Sequence, residues 1–336
     1  MSTWLSTYAG KVSVPHWSAD YFRWQLGLDR PESRDLLTCV YDRDRLVGCV
    51  LCFPMTFAWA GEQIEAAQAS WLSVHPDYRG HGVGKMVNEA SGKALRERGL
   101  AFKLGYGYFG SKDSLGPKFW KKTLGESSEF VGKIGFWARV LDPARAAAWN
   151  LNRMESRLTA FSAPVLTSPR LRHPRGVCIR PVVAADLPRC LELAERSTSH
   201  ADLRLLWDEE SLGRQLGLQG YAEGLVAEEE GEVQGCIGFH AVPIQGNTVQ
   251  PVGILDLVFV SELSARARNE LVNSALLRLK EVGAVVALKL RGGDYPWNTF
   301  LNWGWVWKPV DSHVIVTWAD NVQRRSAVRS SHLLWR

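Results

Sequence analysis

Apolar and polar positions alternate along the chain in short runs that read as strands, separated by longer stretches with helical spacing. Residues 36–41 and 46–58 carry the apolar and β-branched runs of strands, and residues 224–229 and 233–243 repeat that pair in the second half. Ala69 to Val74 is short and apolar with a Trp inside it, as a buried strand is expected to be. From Lys85 the chain runs without proline through Arg98 to Gly99, which reads as a helix with its stop, and Ala101 to Tyr106 is the next strand candidate. Near the N-terminus, His16 to Leu26 reads as a Ser- or Asp-capped helix ended by Pro31, with Tyr21, Trp24 and Leu26 at roughly helical spacing.

The same unit occurs twice. An offset of 184 residues lays Ser73-Val74 on Leu257-Val258, Gly99 on Gly283 and Leu104 on Leu288; an offset of 187 lays Val47-Gly48-Cys49-Val50 on Gln234-Gly235-Cys236-Ile237. Matches in the same order imply a duplicated domain. The second copy opens with Val177-Cys178-Ile179-Arg180-Pro181-Val182, then Ala185-Asp186-Leu187 leading a helix to Arg196. Between the copies, Phe161 to Gly176 holds Pro164, Pro169, Pro174 and several arginines, the composition of a linker. The expected division is 1–160, a linker at 161–176, and 177–336.

Between the strand at 69–74 and the helix from Lys85 lies Val74-His75-Pro76-Asp77-Tyr78-Arg79-Gly80-His81-Gly82-Val83-Gly84. Glycines let a backbone approach a ligand closely, and the first amides of a helix have no internal partner and carry the positive end of its dipole. That arrangement suits a pyrophosphate. A dinucleotide site needs Gly-x-Gly-x-x-Gly and an acid closing the next strand, which Ala101 to Tyr106 lacks. A triphosphate loop needs Gly-Lys-Ser/Thr, and Gly84-Lys85-Met86 fails that test.

The loop resembles motif A of the GNAT superfamily of acyl-CoA-dependent N-acyltransferases: a hydrophobic strand, Val-x-Pro, then Arg/Gln-x-x-Gly-x-Gly/Ala opening a long helix, with Arg79, Gly82 and Gly84 in register. The resemblance implies an α/β (α+β) fold of two GNAT-like domains, each a mixed, mostly antiparallel sheet flanked by helices. It implies that amides from Arg79, Gly80, His81, Gly82, Val83, Gly84 and Lys85 bind the pyrophosphate of coenzyme A, with Leu72, Ser73 and Val74 along the pantetheine. Acetyl-CoA or another acyl-CoA would then be co-substrate, and a small-molecule amine the acceptor, attacking the thioester directly. In the second copy the matching stretch is Leu263-Ser264-Ala265-Arg266-Ala267-Arg268, without glycine, so that half is expected to be degenerate as a coenzyme site.

Such transfer needs a neutral amine, a polarised carbonyl and a protonated leaving thiolate. The polarising amide is expected from Leu72 to Val74. The family's usual Tyr acid falls nearest Trp120 within Gly116 to Gly125, and an indole is no proton acid at neutral pH. Tyr106 and Tyr108 are the substitutes, against a plain reading of aromatic packing. For the base the chain offers Glu65, with Gln68 where a carboxylate would be convenient and Glu62 earlier in the hairpin; a solvated hairpin charge is the plain alternative for Glu65. His75 is expected to point from the strand end towards the cleft, and His81 to face solvent. Lys112, Lys118, Lys121 and Lys122 form either a phosphate contact or a solvated face. Tyr295 to Trp307 is rich in Trp and reads as domain core or as an apolar pocket wall.

Composition adds bounds. With 336 residues, 46% hydrophobic and 22% charged, the chain is long enough for about two domains. It has no apolar run long enough for a membrane span and no secretory signal, so a cytoplasmic location without a membrane partner is expected. A net charge of +5 with scattered basic residues does not suit nucleic-acid binding. The six cysteines sit singly in apolar runs, as reduced buried thiols do, and the lone Cys49-x-x-Cys52 lacks the companions of a zinc site, so no metal is expected. An oligomer is compatible with all of this. Two other readings stay open: a non-catalytic acyl-CoA-binding or sensing protein, and an acyl-CoA decarboxylase on the same scaffold.

Overall fold

The computed structural model describes residues 2–108, 119–120, 127–162, 169–301, 304–308, 312–320 and 328–335. It divides into two compact units, Met1–Ile134 with Val310–Arg329 and Arg336, and Gly135–Pro309 with Ser330–Trp335. A single cut at 161–176 does not separate these units, because a segment from each half of the chain belongs with the other half.

In the first unit, strands Leu37–Asp42, Arg45–Trp59 and Glu62–Val74 form an antiparallel meander. The long hairpin closes at Ala60 (φ +51°) and Gly61 (φ +85°) between the paired Trp59 and Glu62. Two positive φ values in a two-residue loop match the right-handed twist of the flanking strands. Strand Phe102–Tyr108 joins parallel to Glu62–Val74, a pairing that needs the crossover the intervening helix supplies. That helix, Val83–Glu97, buries Val83, Val87 and Leu95 against Val47, Val50 and Ala67. Gly48 permits the close approach, since a Cβ there would lie 2.7 Å from Val83 Cγ1.

Beyond Phe102–Tyr108 comes strand Ser312–Trp318, antiparallel both to it and to Ser128–Ile134. Trp318 stacks on Trp59 (centroids 5.5 Å apart) and meets Phe102 edge-on at 5.3 Å, while its Nε1 donates to Glu129 Oε1 at 2.6 Å. Aromatic burial of this kind dominates local packing energy.

The second unit repeats the order. Strands Val177–Pro181, Glu223–Glu229, Glu232–Gln245 and Val249–Phe259 run antiparallel, and Val286–Leu290 lies parallel to the last of these. Glu230 (φ +56°) and Gly231 (φ +85°) make the corresponding tight loop. Next to the parallel pair stands Phe136–Val140, from the N-terminal half, antiparallel to Val286–Leu290 and to Trp305–Trp307. Helices Leu187–Thr198 and Ala265–Glu281 flank the sheet. The fold expectation of two mixed sheets with flanking helices is met, including the meander strands near 36–58 and 224–243.

Local details add to or differ from the sequence reading. Asp186, at the start of helix Leu187–Thr198, accepts from the Val183 amide (2.9 Å) and from both terminal nitrogens of Arg180 (2.7 and 2.8 Å), tying the first strand of the second unit to its first helix. The cysteines are free, but Cys39 and Cys178 are exposed rather than buried. Cys49 and Cys52 face opposite sides of one strand, as an odd spacing requires: Cys49 Sγ donates to Trp71 O (3.7 Å) and Cys52 Sγ lies 3.8 Å from Ser91 Oγ. Burial pushes the Cys49 thiol up to about 11. Inside the second unit, the described residues 169–176 are pinned by the buried Glu270, whose carboxylate accepts from the amides of Arg172 and His173 (both 2.9 Å). The chain's end also docks: Leu333 and Leu334 are buried, and Ser331 pairs with Leu203. Among the described residues no helix is long and apolar enough to cross a membrane.

A fragment of residues 1–160 lacks Ser312–Trp318 and leaves facing edges of Phe102–Tyr108 and Ser128–Ile134 unpaired. It is expected to aggregate or lose its cooperative unfolding transition by circular dichroism, and a version fused to residues 310–329 is expected to regain it.

Candidate active site

The site of the first unit is built around an irregular stretch of strand Glu62–Val74. Cys49 pairs with Ser73 and Leu51 with Ser70, so Trp71 and Leu72 together face Val50 and the ladder is bulged there. Trp71 has φ +58°, the left-handed region, which costs a bulky residue on the order of 1–2 kcal/mol. Its ring is clamped by Trp17 (centroids 4.3 Å) and Phe22 (5.5 Å), and Trp17 in turn packs on Tyr21 (5.2 Å). Tyr21 and Phe22 stand on helix Ala19–Gln25 and Trp17 just precedes it, the first turn being capped by Ser18 Oγ accepting from the Tyr21 amide at 3.1 Å. The aromatic stripe therefore anchors the first helix to the sheet at the bulge.

On its other edge the strand pairs with Phe102–Tyr108 only at Ala67–Lys103 and Gln68–Leu104. Both strands continue, to Val74 and to Tyr108, and among the described residues no ladder joins them beyond that point. Backbone groups on the two facing edges are thus available to an extended ligand.

The cradle follows directly. Pro76–Tyr78 forms a single tight turn, and Gly80 (φ +85°) and Gly82 (φ +82°) bend the chain into helix Val83–Glu97. No atom lies within 4 Å of where a Cβ would sit on either glycine, so the space above them is open. Gly82 caps the helix without a side chain, and the first amide to bond back is Met86, to Gly82 O at 3.0 Å. The amides of Val83, Gly84 and Lys85 precede that bond and are left for an external acceptor. Gly84 serves differently: a Cβ there would press on Phe119 Cε2 at 3.0 Å.

This arrangement coincides with a recognised domain. The family model described as acetyltransferase (GNAT) domain matches residues 13–112, which take in the aromatic helix, the meander, the bulged strand and the cradle.

A GNAT domain thus spans residues 13–112 of the chain.

Solved structures extend the likeness over both units. Saccharomyces cerevisiae N-myristoyltransferase with bound myristoyl-CoA superposes with a TM-score of 0.69 at 14% identity, over 95% of this chain and 73% of that one. A second structure of that enzyme with myristoyl-CoA gives 0.69 at 13%, over 97% and 80%. A GCN5-related N-acetyltransferase from Kribbella flavida gives 0.53 at 16%, over 89% and 64%. At these identities the likeness is one of fold. No curated protein matches the sequence.

Within the GNAT domain the sequence-predicted residues fall into three groups. Leu72, Ser73 and Val74 lie half-buried on the carboxyl side of the bulge, next to Gly80, Gly82 and the helix start. Val83 turns its side chain into the core, Lys85 is exposed with Glu89 3.7 Å away, and His81 is exposed. The Arg79 side chain does not reach over the cradle: its Nε donates to Val74 O (3.1 Å) and its Nη2 to Thr7 Oγ1 (2.7 Å), locking the loop to the strand end and to helix Ser2–Tyr8. Tyr106 (half-buried) and Tyr108 (exposed) stand two apart on the strand edge beyond Leu104, so they share one face.

Glu65 and His75 are placed elsewhere. Glu65 pairs with Thr56 before the parallel ladder begins, and its carboxylate accepts from Thr56 Oγ1 at 3.0 Å. His75 caps the following turn, its Nδ1 accepting from the Asp77 amide (3.3 Å) and its Nε2 lying 2.8 Å from Arg45 Nη2. Trp120 is described, packed edge-on against Phe119. Its neighbours 109–118 and 121–126, with Lys112, Lys118, Lys121 and Lys122, lie outside the described residues.

In the second unit the same bulge recurs. Gly238 pairs with Leu257 and Phe239 with Leu255, leaving Asp256 as the extra residue. The chemistry around it is closed. Ser264 caps helix Ala265–Glu281 through the Ala267 amide (3.2 Å), and the Glu229 carboxylate accepts from the Ser264 amide (2.8 Å) and hydroxyl (2.6 Å). A protein carboxylate thus occupies the helix entrance. Lys289, at the position matching Gly105, donates to Asp256 O at 2.9 Å and pairs with Asp294, stapling the parallel strands. Neither device was legible in the sequence, where only the missing glycines signalled degeneracy.

Two outcomes follow. Trp17→Ala removes the closest ring on Trp71 and is expected to lower stability by about 3–5 kcal/mol in denaturant unfolding, with Trp17→Phe retaining most of it. Asp294 and His332 set an acid response. Burial raises Asp294, but Lys289 and His332 more than offset this and hold it below the usual carboxylate range. Burial lowers His332, whose Nε2 accepts from Trp207 Nε1 at 3.2 Å. Both folded values are depressed, so both contributions are present at neutral pH and fade on acidification, His332 first, from about pH 6.5 downwards. The melting temperature is expected to fall between pH 7 and 5, and Asp294→Asn to cost about 3–5 kcal/mol at pH 7 by leaving Lys289 buried and unpaired.

Proposed function

We propose that the chain transfers an acyl group from an acyl-CoA thioester to an amine, with the first unit holding the coenzyme. The observation that carries this reading is the pair Gly80 and Gly82, which hold the entrance of helix Val83–Glu97 open beside the bulged strand. Main-chain amides of Gly80, Gly82, Val83, Gly84 and Lys85 would meet the pyrophosphate, where the helix dipole favours negative charge, while those of Arg79 and His81 already donate to Pro76 O (3.2 Å) and Tyr78 O (3.4 Å). The edge at Leu72, Ser73 and Val74 would pair along the pantetheine. The thioester supplies the activated acyl group: the amine's C–N bond forms as the C–S bond breaks. A main-chain amide at the bulge would stabilise the developing oxyanion, and Tyr106 or Tyr108 would protonate the departing thiolate.

Glu65 remains the sequence's base candidate and His75 its candidate proton relay. Each would have to leave the partner it holds, Thr56 or Arg45, so water is the simpler acceptor of the amine's proton. Acetyl-CoA as donor, a small-molecule amine as acceptor and a cytoplasmic setting are the finer parts of this reading, resting on the acetyltransferase description of the family. The engagement of Glu65 and His75 also favours a second reading, acyl-CoA binding without transfer.

Calorimetry with acetyl-CoA and longer acyl-CoAs, paired with thiol release over an amine panel, decides between them. Saturable binding with amine-dependent release is expected; binding without release selects the second reading, and no binding overturns both. Gly82→Ala is expected to weaken acyl-CoA at least about tenfold for about 1 kcal/mol of stability, since alanine fits φ +82° poorly. Tyr106→Phe with Tyr108→Phe is expected to lower turnover about 100-fold with little change in acyl-CoA affinity.

A further inference from the structure

A cavity of about 540 Å3 opens in the second unit at the carboxyl ends of its parallel strands. Ser261 lines it just past Val249–Phe259, and Arg291 just past Val286–Leu290, with Trp137, Tyr295 and Trp297 as aromatic walls. Ligands of open α/β sheets collect at this end of parallel strands, and the volume is that of a small-molecule site.

Arg291 gives the cavity its character. Its guanidinium lies 4.7 Å from the Trp307 ring and against Gly135, where a Cβ would come within 2.8 Å of Nε and Nη2. Its buried Nε has no hydrogen-bond partner, and among the described residues no carboxylate pairs with it. Burial pushes its pKa down. A guanidinium partly withdrawn from water with no carboxylate beside it is less favourable than a fully exposed one, and a ligand anion would relieve it.

The other groups narrow the class of anion. Arg196 is already held by Glu262 (2.9 Å) and Glu192 (3.8 Å). The amides of Gly292 and Gly293 donate to Leu290 O and Ser331 O. Arg291 is therefore the guanidinium left to a ligand, with His200 also on the lining, and a single planar guanidinium suits a singly charged carboxylate better than a phosphate needing several donors. The geometry points to a binding site for a carboxylate-bearing apolar or aromatic small molecule, its carboxylate on Arg291 and its body among Trp137, Tyr295 and Trp297. None of these residues enters the acyl-transfer reading, so the two stand or fall separately.

The test is calorimetry and tryptophan fluorescence on the full chain with phenylacetate and octanoate, against phenylacetamide as the neutral analogue. Saturable binding of the acids is expected, with the amide at least about tenfold weaker. Arg291→Met is expected to abolish that preference and the exposed Trp297→Ala to weaken phenylacetate, both leaving acyl-CoA affinity unchanged. Equal binding of acid and amide, no saturation at millimolar acid, or acid binding indifferent to both substitutions would overturn the proposal.

Discussion

A tryptophan held in the left-handed region inside a strand is unfavourable on its own, and the shape of the first unit's site depends on its staying there. Trp71 pushes the central strand out of register with its neighbour, so that Leu72 to Val74 arrive at the cradle from a displaced line. The strain of about 1–2 kcal/mol is offset by ring contacts with Trp17 and Phe22, each pair contributing about 0.5–1.5 kcal/mol beyond burial. The first helix is thereby a structural part of the site although it brings no polar group to it.

The two units show how one backbone device can be given opposite surroundings. Both carry the bulge at matching positions and both send a helix away from the end of the bulged strand. In the first, glycines keep that helix entrance bare. In the second, Glu229 sits on the entrance through Ser264, and Lys289 spans the strands where the first unit has Gly105. An internal carboxylate and an internal ammonium there satisfy the groups that the first unit leaves to a ligand.

What could be read from sequence was what depends on single residue types. Gly80 and Gly82 are legible because positive φ is theirs at little cost, and the meander is legible because strand alternation and the Ala60-Gly61 and Glu230-Gly231 loops are local. The offset of 184 residues exposed the repeat. The bulge at Trp71 leaves no local signal, since it is a shift of register between strands Arg45–Trp59 and Glu62–Val74. His75 and Glu65 were placed by distance along the chain, which says nothing about their hydrogen-bond partners Asp77 and Thr56. Trp137 and Arg291 meet around one cavity only because Phe136–Val140 pairs with Val286–Leu290.

That pairing has a counterpart, Ser312–Trp318 between Phe102–Tyr108 and Ser128–Ile134, and together they give the molecule a timetable. On the ribosome, the first sheet is missing an inner strand until residue 318 has been made. At about 5–20 residues per second, the interval between residues 134 and 318 lasts roughly ten to forty seconds. Throughout it the nascent chain carries two open edges and uncovered aromatic rings, Trp59 and Phe102 among them. Completion of the first sheet before the second is made is closed to this topology, and its open edges are exposed to aggregation for that interval.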